Sequence, residues 1–193
     1  DLHSFPTRRS SDLVVERIWK DAPDIVPQFM DFTYRLSKAA IQAGLKLRII
    51  LEPSTPFDAG FCRGPEYVVM MYNLYGLHSG PGPKADGPFI EKIVKRMAAL
   101  PDKRAVALAT GGCLWEAASG KAQRFLSQRE AVELRERYQA KETRDADSAA
   151  LTFRYREDGK SYVVWYADNE TLNAWITLAA RQGIPAEIGR AHV

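Results

Sequence analysis

Apolar positions along the chain keep two rhythms, and the change between them divides it. Tyr67-Val68-Val69-Met70-Met71 is a continuous apolar run. Gly64-Pro65 bounds it on one side, and Tyr72-Asn73-Leu74-Tyr75-Gly76 follows on the other. A run that does not alternate predicts a strand covered on both faces, as in a parallel α/β sheet. Val14 to Ile18, Leu45 to Leu51 and Arg104 to Ala109 predict further strands of this kind. Between them Asp21-Ala22-Pro23-Asp24 opens a helix near Ile25 to Gly44, with Phe29, Phe32, Leu36, Ala39, Ala40 and Ala43 on one face. Gly87-Pro88-Phe89 opens another to Leu100, with Ile90, Ile93, Val94 and Met97 as its buried stripe. The order β-α-β-loop-β-α-β predicts an α/β fold with a parallel sheet.

Beyond Thr110-Gly111-Gly112 the rhythm changes. Ser127 and Glu130 have the spacing of a capping box, opening a helix to about Tyr138. Leu151 to Tyr155 and Ser161 to Tyr166 flank an Asp158-Gly159 turn, which predicts a β-hairpin. Asn169 to Thr171 begin a last helix closed by Gly183, and Trp165 reads as core.

Composition narrows the function. The apolar content of 46% is that of a globular domain, and no apolar run approaches the ~20 residues of a membrane span. A net charge of +3 without a Lys/Arg block argues against nucleic acid. Cys62 and Cys113 lack metal-ligand spacing. With His3 and His192 in the terminal segments, His78 stands alone, which argues against a metal site or a Ser-His-Asp triad. Residues 1–13 and 187–193 carry no apolar period and resemble sequencing-library adapters read in frame, so they are set aside as non-native ends. Residues 14–186 then read as one domain, or part of one, within a longer protein. Polar groups at the C-terminal edge of a parallel strand make Tyr72, Asn73 and Tyr75 candidate site residues.

Four segments together resemble the C-terminal half of the glycoside hydrolase family 18 catalytic domain, nearest the bacterial spore-cortex and cell-wall hydrolases and chitinase-like proteins. Met70-Met71-Tyr72-Asn73 is similar to the family's Met-x-Tyr-Asp/Asn motif closing the sixth barrel strand. Gly111-Gly112-Cys113-Leu114-Trp115 resembles the seventh-strand exit, with Trp115 as a loop tryptophan. Ser127 to Tyr155 resembles the insertion that follows, and Val164-Trp165-Tyr166-Ala167-Asp168 resembles the Val-Trp-Tyr-x-Asp segment before the seventh helix. The resemblance implies a partial (β/α)8 TIM barrel, from the end of strand four through helix seven, with a small antiparallel β insertion at about 123–166. A whole barrel takes about 250 residues, so a piece of this length is expected to be inactive and unstable alone.

The resemblance also implies the chemistry. Family members cleave β-1,4 links beside N-acetylated sugars, and the sugar's own acetamide oxygen replaces the enzyme nucleophile. Glu16 resembles the general acid that ends the family's Asp-x-x-Asp-x-Asp-x-Glu motif. Tyr72 and Asn73 would hold the acetamide, while Met70, Tyr75 and Trp115 would line the sugar site. No cofactor or metal is implied. The implied partner is an oligo- or polysaccharide containing N-acetylglucosamine, and the implied location is secreted, cell-wall or spore-associated. Val14 departs from the pattern, standing where the family has an Asp that holds the acetamide nitrogen. A catalytically inactive, carbohydrate-binding chitinase-like module is therefore the alternative, and an unrelated α/β domain a third reading.

Overall fold

The computed structural model describes residues 10–15, 17–101 and 103–188. Its strands are β1 (Ser10–Val15), β2 (Lys46–Leu51), β3 (Glu66–Met70), β4 (Arg104–Leu108), β5 (Gly111–Glu116), β6 (Ala122–Leu126), β7 (Thr143–Arg144), β8 (Leu151–Glu157), β9 (Lys160–Ala167) and β10 (Ala186–Ile188). Its helices are α1 (Ile18–Asp21), α2 (Val26–Gln42), α3 (Gly87–Arg96), α4 (Gln128–Arg137) and α5 (Asn169–Arg181), with 3-10 turns at Pro23–Ile25 and Met97–Ala99. The fold is α/β, with one parallel and one antiparallel sheet. The chain divides into two compact units: one runs to Met70 and takes up Arg96–Ala105, the other comprises Met71–Lys95 and the chain from Val106 on.

In the first unit β1, β2 and β3 pair in parallel, with Val14 opposite Ile50 and Ile50 opposite Val68. Tyr67 N–H donates to Lys103 O, 2.9 Å away, at the approach to β4. Both faces of β3 are buried, as its unbroken apolar run predicts. β1 starts at Ser10 rather than near Val14, so four residues assigned to the non-native end lie in the sheet. Parallel pairing uses backbone groups alone, so an extended segment can join an open strand edge whatever its side chains.

The predicted face of α2 needs correction. Phe32 is 49% exposed and Ala39 and Ala43 are exposed, whereas Thr33 and Ser37 are buried. The loop from Glu52 to Pro65 explains the rotation. A Cβ placed on Gly64 would lie 2.6 Å from Ser37 Oγ, so the backbone approaches α2 closely and only small side chains fit beneath it. Arg96 ties this loop down through Pro53 O at 2.5 Å and Thr55 O at 2.8 Å, with its guanidinium 4.8 Å from the centre of the Phe57 ring.

In the second unit Val106–Leu108 of β4 pair in parallel with β10, which enters the segment expected to be non-native at Glu187. The α3 stripe of Ile90, Ile93 and Val94 is buried as predicted, and so is Met97, which belongs to the first unit. The antiparallel sheet has the order β6-β5-β9-β8-β7. It is larger than the expected insertion and begins at Gly111, because the predicted strand exit Gly111–Trp115 is itself β5. Glycines that read as a strand exit serve here for close approach. A Cβ on Gly112 would fall 1.7 Å from Trp165 O. One face of the sheet packs Leu114, Leu126, Phe153, Val164 and Tyr166 against Ala131 and Leu134 of α4. The other holds Cys113, Trp115 and Val163, with Trp165 only partly buried beside them. Asp158 and Gly159 turn the β8–β9 hairpin at φ 48° and 76°, the left-handed pair such a two-residue turn requires.

Candidate functional site

The apolar run of β3 is what delivers the candidate groups. Met70 and Met71 are still buried, and Met71 N–H donates to Ala107 O at 2.8 Å. The backbone then leaves the strand, so Tyr72 becomes half-buried and Asn73 exposed. Leu74 N–H donates to Lys84 O at 2.9 Å, closing the loop between them. Within it Tyr75 lies flat on Gly82, where a Cβ would meet the ring carbons at 2.5 Å. Gly82 therefore makes room for the ring, which stays 36% exposed. Ser79 stiffens the loop: its Oγ accepts from Gly76 N–H at 3.0 Å and its own N–H donates to Gly76 O at 3.2 Å. Tyr72, Asn73 and Tyr75 thus stand at one strand exit on a braced loop, the preorganisation a binding site needs.

Two predicted sugar contacts are corrected. Trp115 is 1% exposed, and its indole N–H donates to Ser79 O at 2.9 Å, so it holds the Tyr75 loop from beneath instead of presenting a face to a ligand. Met70 is buried at the end of β3 and likewise offers no surface. His78 is exposed on the loop.

Lys84 escaped the sequence reading. Only 8% of it is exposed, yet among the described residues no carboxylate lies within ion-pair distance. Its ammonium donates to Thr110 O at 3.1 Å, just past β4, and sits 5.9 Å from the centre of the Phe125 ring. Burial holds its pKa below the ordinary lysine value, an effect that nearby Cys113 opposes. Burial also pushes the Cys113 thiol up, and the thiol donates to Arg124 O at 3.1 Å. Phe125 is 37% exposed and forms a second aromatic surface. Neither residue carries a motif. A lysine after a Gly-Pro loop and a phenylalanine in a short strand look like ordinary surface positions.

Glu16 lies outside the described residues. Its neighbour Arg17 adopts a left-handed backbone, φ 56° and ψ 5°, uncommon for a residue with a side chain. Arg17 N–H donates to Glu52 Oε2 at 2.9 Å, and its guanidinium grips Asp21 at 2.7 and 3.1 Å. These contacts hold the turn from β1 into α1 in a conformation it would otherwise seldom visit. In the same unit a cavity of about 500 Å³ opens at the N-terminal ends of β2 and β3. Ile41, Leu45 and Leu47 line it, beside Lys46, Arg48 and Glu66. The segment between β2 and β3 contains no helix. Among the described residues no cluster of three His, Cys, Asp or Glu side chains could hold a metal ion. No described helix is long and apolar enough to cross a membrane.

No family model or curated protein matches the sequence. Solved structures do. A chitinase from Chromobacterium violaceum superposes with a TM-score of 0.82 at 20% identity, over 95% of this chain and 62% of its own. The spore cortex-lytic enzyme SleL of Bacillus cereus gives 0.82 at 18% identity, over 95% and 45%. A Bacillus subtilis protein named as a sporulation-specific glycosylase gives 0.82 at 19%, over 92% and 64%. The chain thus has the fold of chitinase-like and spore-cortex-lytic domains, which bears out the resemblance drawn from the four motifs. It spans less than two thirds of each of these three structures.

Proposed function

We propose that the chain is part of a family 18 glycoside hydrolase that cleaves β-1,4 links beside N-acetylglucosamine in a peptidoglycan- or chitin-like polymer. On this reading β1 to β4 are the fourth to seventh strands of a (β/α)8 barrel, β10 begins the eighth, and residues 111–167 are an insertion after the seventh. The observation that carries the proposal is the exit of β3. A half-buried phenol, an exposed amide and an exposed aromatic face emerge together there, on a loop braced by Ser79 and Trp115.

The reaction needs few protein groups. The substrate's acetamide oxygen attacks the anomeric carbon as Glu16 protonates the departing glycosidic oxygen. Tyr72 donates to the acetamide oxygen, and the Asn73 amide orients the group as it becomes an oxazolinium ion. Water then opens that ring, giving its proton to the Glu16 carboxylate and retaining the anomeric configuration. Tyr75 stacks on the C–H face of a pyranose. The polymer suits a secreted, cell-wall or spore-associated protein.

The test is turnover of a chromogenic N-acetylglucosaminide by the full-length gene product. Glu16→Gln is expected to lower kcat by about 10²–10⁴-fold, and Tyr72→Phe by roughly 10²-fold or more. Wild-type protein that binds N-acetylglucosamine oligomers without cleaving them would instead establish the carbohydrate-binding module. Val14 favours that second reading. It is exposed in β1, paired with Ile50, and puts an apolar side chain where the family has the acetamide-holding Asp.

A further inference from the structure

Among the described residues Lys84 is a buried charge with no carboxylate partner. An ammonium has three N–H donors, and the structure gives one to Thr110 O, 3.1 Å away. Burying a cation without a carboxylate is costly, and proteins seldom keep such a group unless it serves a purpose. Replacing it with an apolar side chain of similar length would keep the packing and remove that cost. The residue keeps 8% of its surface exposed. It faces the ring of Phe125, which is 37% exposed, while its own backbone is hydrogen-bonded to Leu74 beside Asn73 and Tyr75. Anything that stacks on Tyr75 or touches Phe125 therefore approaches a positive charge set in a poorly polarisable surround, where a charge acts more strongly than in water. An anion at the rim of Phe125 would also meet the positive edge of the ring.

We propose that Lys84 determines specificity at this site: with Phe125 it favours N-acetylhexosamine polymers whose sugars carry a free carboxylate, such as a lactyl ether with no peptide attached, over neutral chitin-like ones. The inference rests on the sugar-site reading above and refines it. It uses charge alone, so no covalent step is involved. The chain's +3 net charge acts in the same direction.

The test compares two oligomers of equal length on the full-length gene product. One is made of N-acetylglucosamine alone, and the other has a lactyl ether carboxylate on alternate sugars. Affinity by calorimetry is measured beside kcat/KM. Wild type is expected to prefer the acidic oligomer by about tenfold, an electrostatic effect of modest size. Lys84→Met is expected to abolish that preference while changing the neutral oligomer less than about twofold, and Lys84→Arg to restore most of it. Equal wild-type affinity for the two oligomers overturns the proposal without any variant. A Lys84→Met protein that loses both substrates alike, with a lowered Tm, reduces Lys84 to a structural brace and overturns it too. Binding with the acidic preference but without turnover sinks the hydrolase reading and leaves Lys84 supported. Binding of neither oligomer sinks both.

Discussion

The two sheets bury their side chains in different ways, and the difference separates where chemistry can sit from what holds it. β3 is covered on both faces, so its residues can only pack, and polar groups appear where the strand stops, at Tyr72 and Asn73. β8 alternates, with Leu151, Phe153 and Tyr155 turned inward and Arg154 and Arg156 outward. In the antiparallel sheet the same aromatic chemistry therefore takes different roles. Trp115 is sealed and spends its indole N–H on Ser79, whereas Phe125 on the neighbouring strand stays partly open. An aromatic residue near a site is a sugar platform only if the fold leaves one ring face to solvent.

The sharpest way to break this comparison is at Gly112. Gly112→Val would drive a side chain into the Trp165 carbonyl of β9, where even a Cβ lies at 1.7 Å. It is expected to cost more than about 4 kcal/mol and to abolish near-UV circular dichroism. Next comes the pair Trp115 and Tyr75. Trp115→Ala should destabilise by about 3–5 kcal/mol in urea titrations. Tyr75→Ala should cost less, about 1 kcal/mol, yet weaken binding of an N-acetylglucosamine oligomer by roughly tenfold, the scale of one lost aromatic stacking contact. Equal stability losses would erase the distinction between buried brace and open platform.

A smaller effect is expected at Asp168, which caps α5 by accepting from Thr171 N–H at 2.8 Å and pairs with Arg144. Its pKa lies well below the usual carboxylate range, because the contacts with Arg144 and Thr171 outweigh a burial that opposes them. Asp168→Ala should cost about 1–2 kcal/mol in thermal melts. Least of all is Ser127→Ala, about 1 kcal/mol, which removes the N-cap of α4. The cap carries a pH signature. The backbone N–H of Ser127, then its hydroxyl and Arg124, hold Glu130 down at about 2 from an ordinary 4.5. A depressed carboxylate stabilises the fold above its unfolded pKa, and that share is lost as pH falls from 4.5 towards 2. Wild type should therefore lose more than Ser127→Ala between pH 7 and pH 3, measured as urea midpoints.

Much of this was legible because it is local. The unbroken run at Tyr67–Met71, the stripe of Ile90, Ile93, Val94 and Met97, the Ser127–Glu130 box and the Asp158-Gly159 turn each follow from a few neighbouring residues, and all appear in the structure. The exit of β3 was legible too, since its apolar run stops at Met71 and Tyr72 and Asn73 follow. The errors share one cause: they concern what a residue meets from far along the chain. Gly111-Gly112 looked like a strand exit and begins a new strand, because Trp165 passes against it. Phe32 looked like core, but the close approach of Gly64 turns Thr33 and Ser37 inward.

By itself the sequence determined the parallel strands β2 to β4, the helices α2 to α5, the β8–β9 hairpin and the strand exit that carries Tyr72, Asn73 and Tyr75, because hydrophobic period, capping and turn chemistry act over a few residues. Only the tertiary structure decided that Trp115 is sealed, that Phe125 is open, and that Lys84 is a buried cation facing it. Solvent access and local dielectric belong to the whole packed surround, and neither can be read from a residue and its neighbours in sequence.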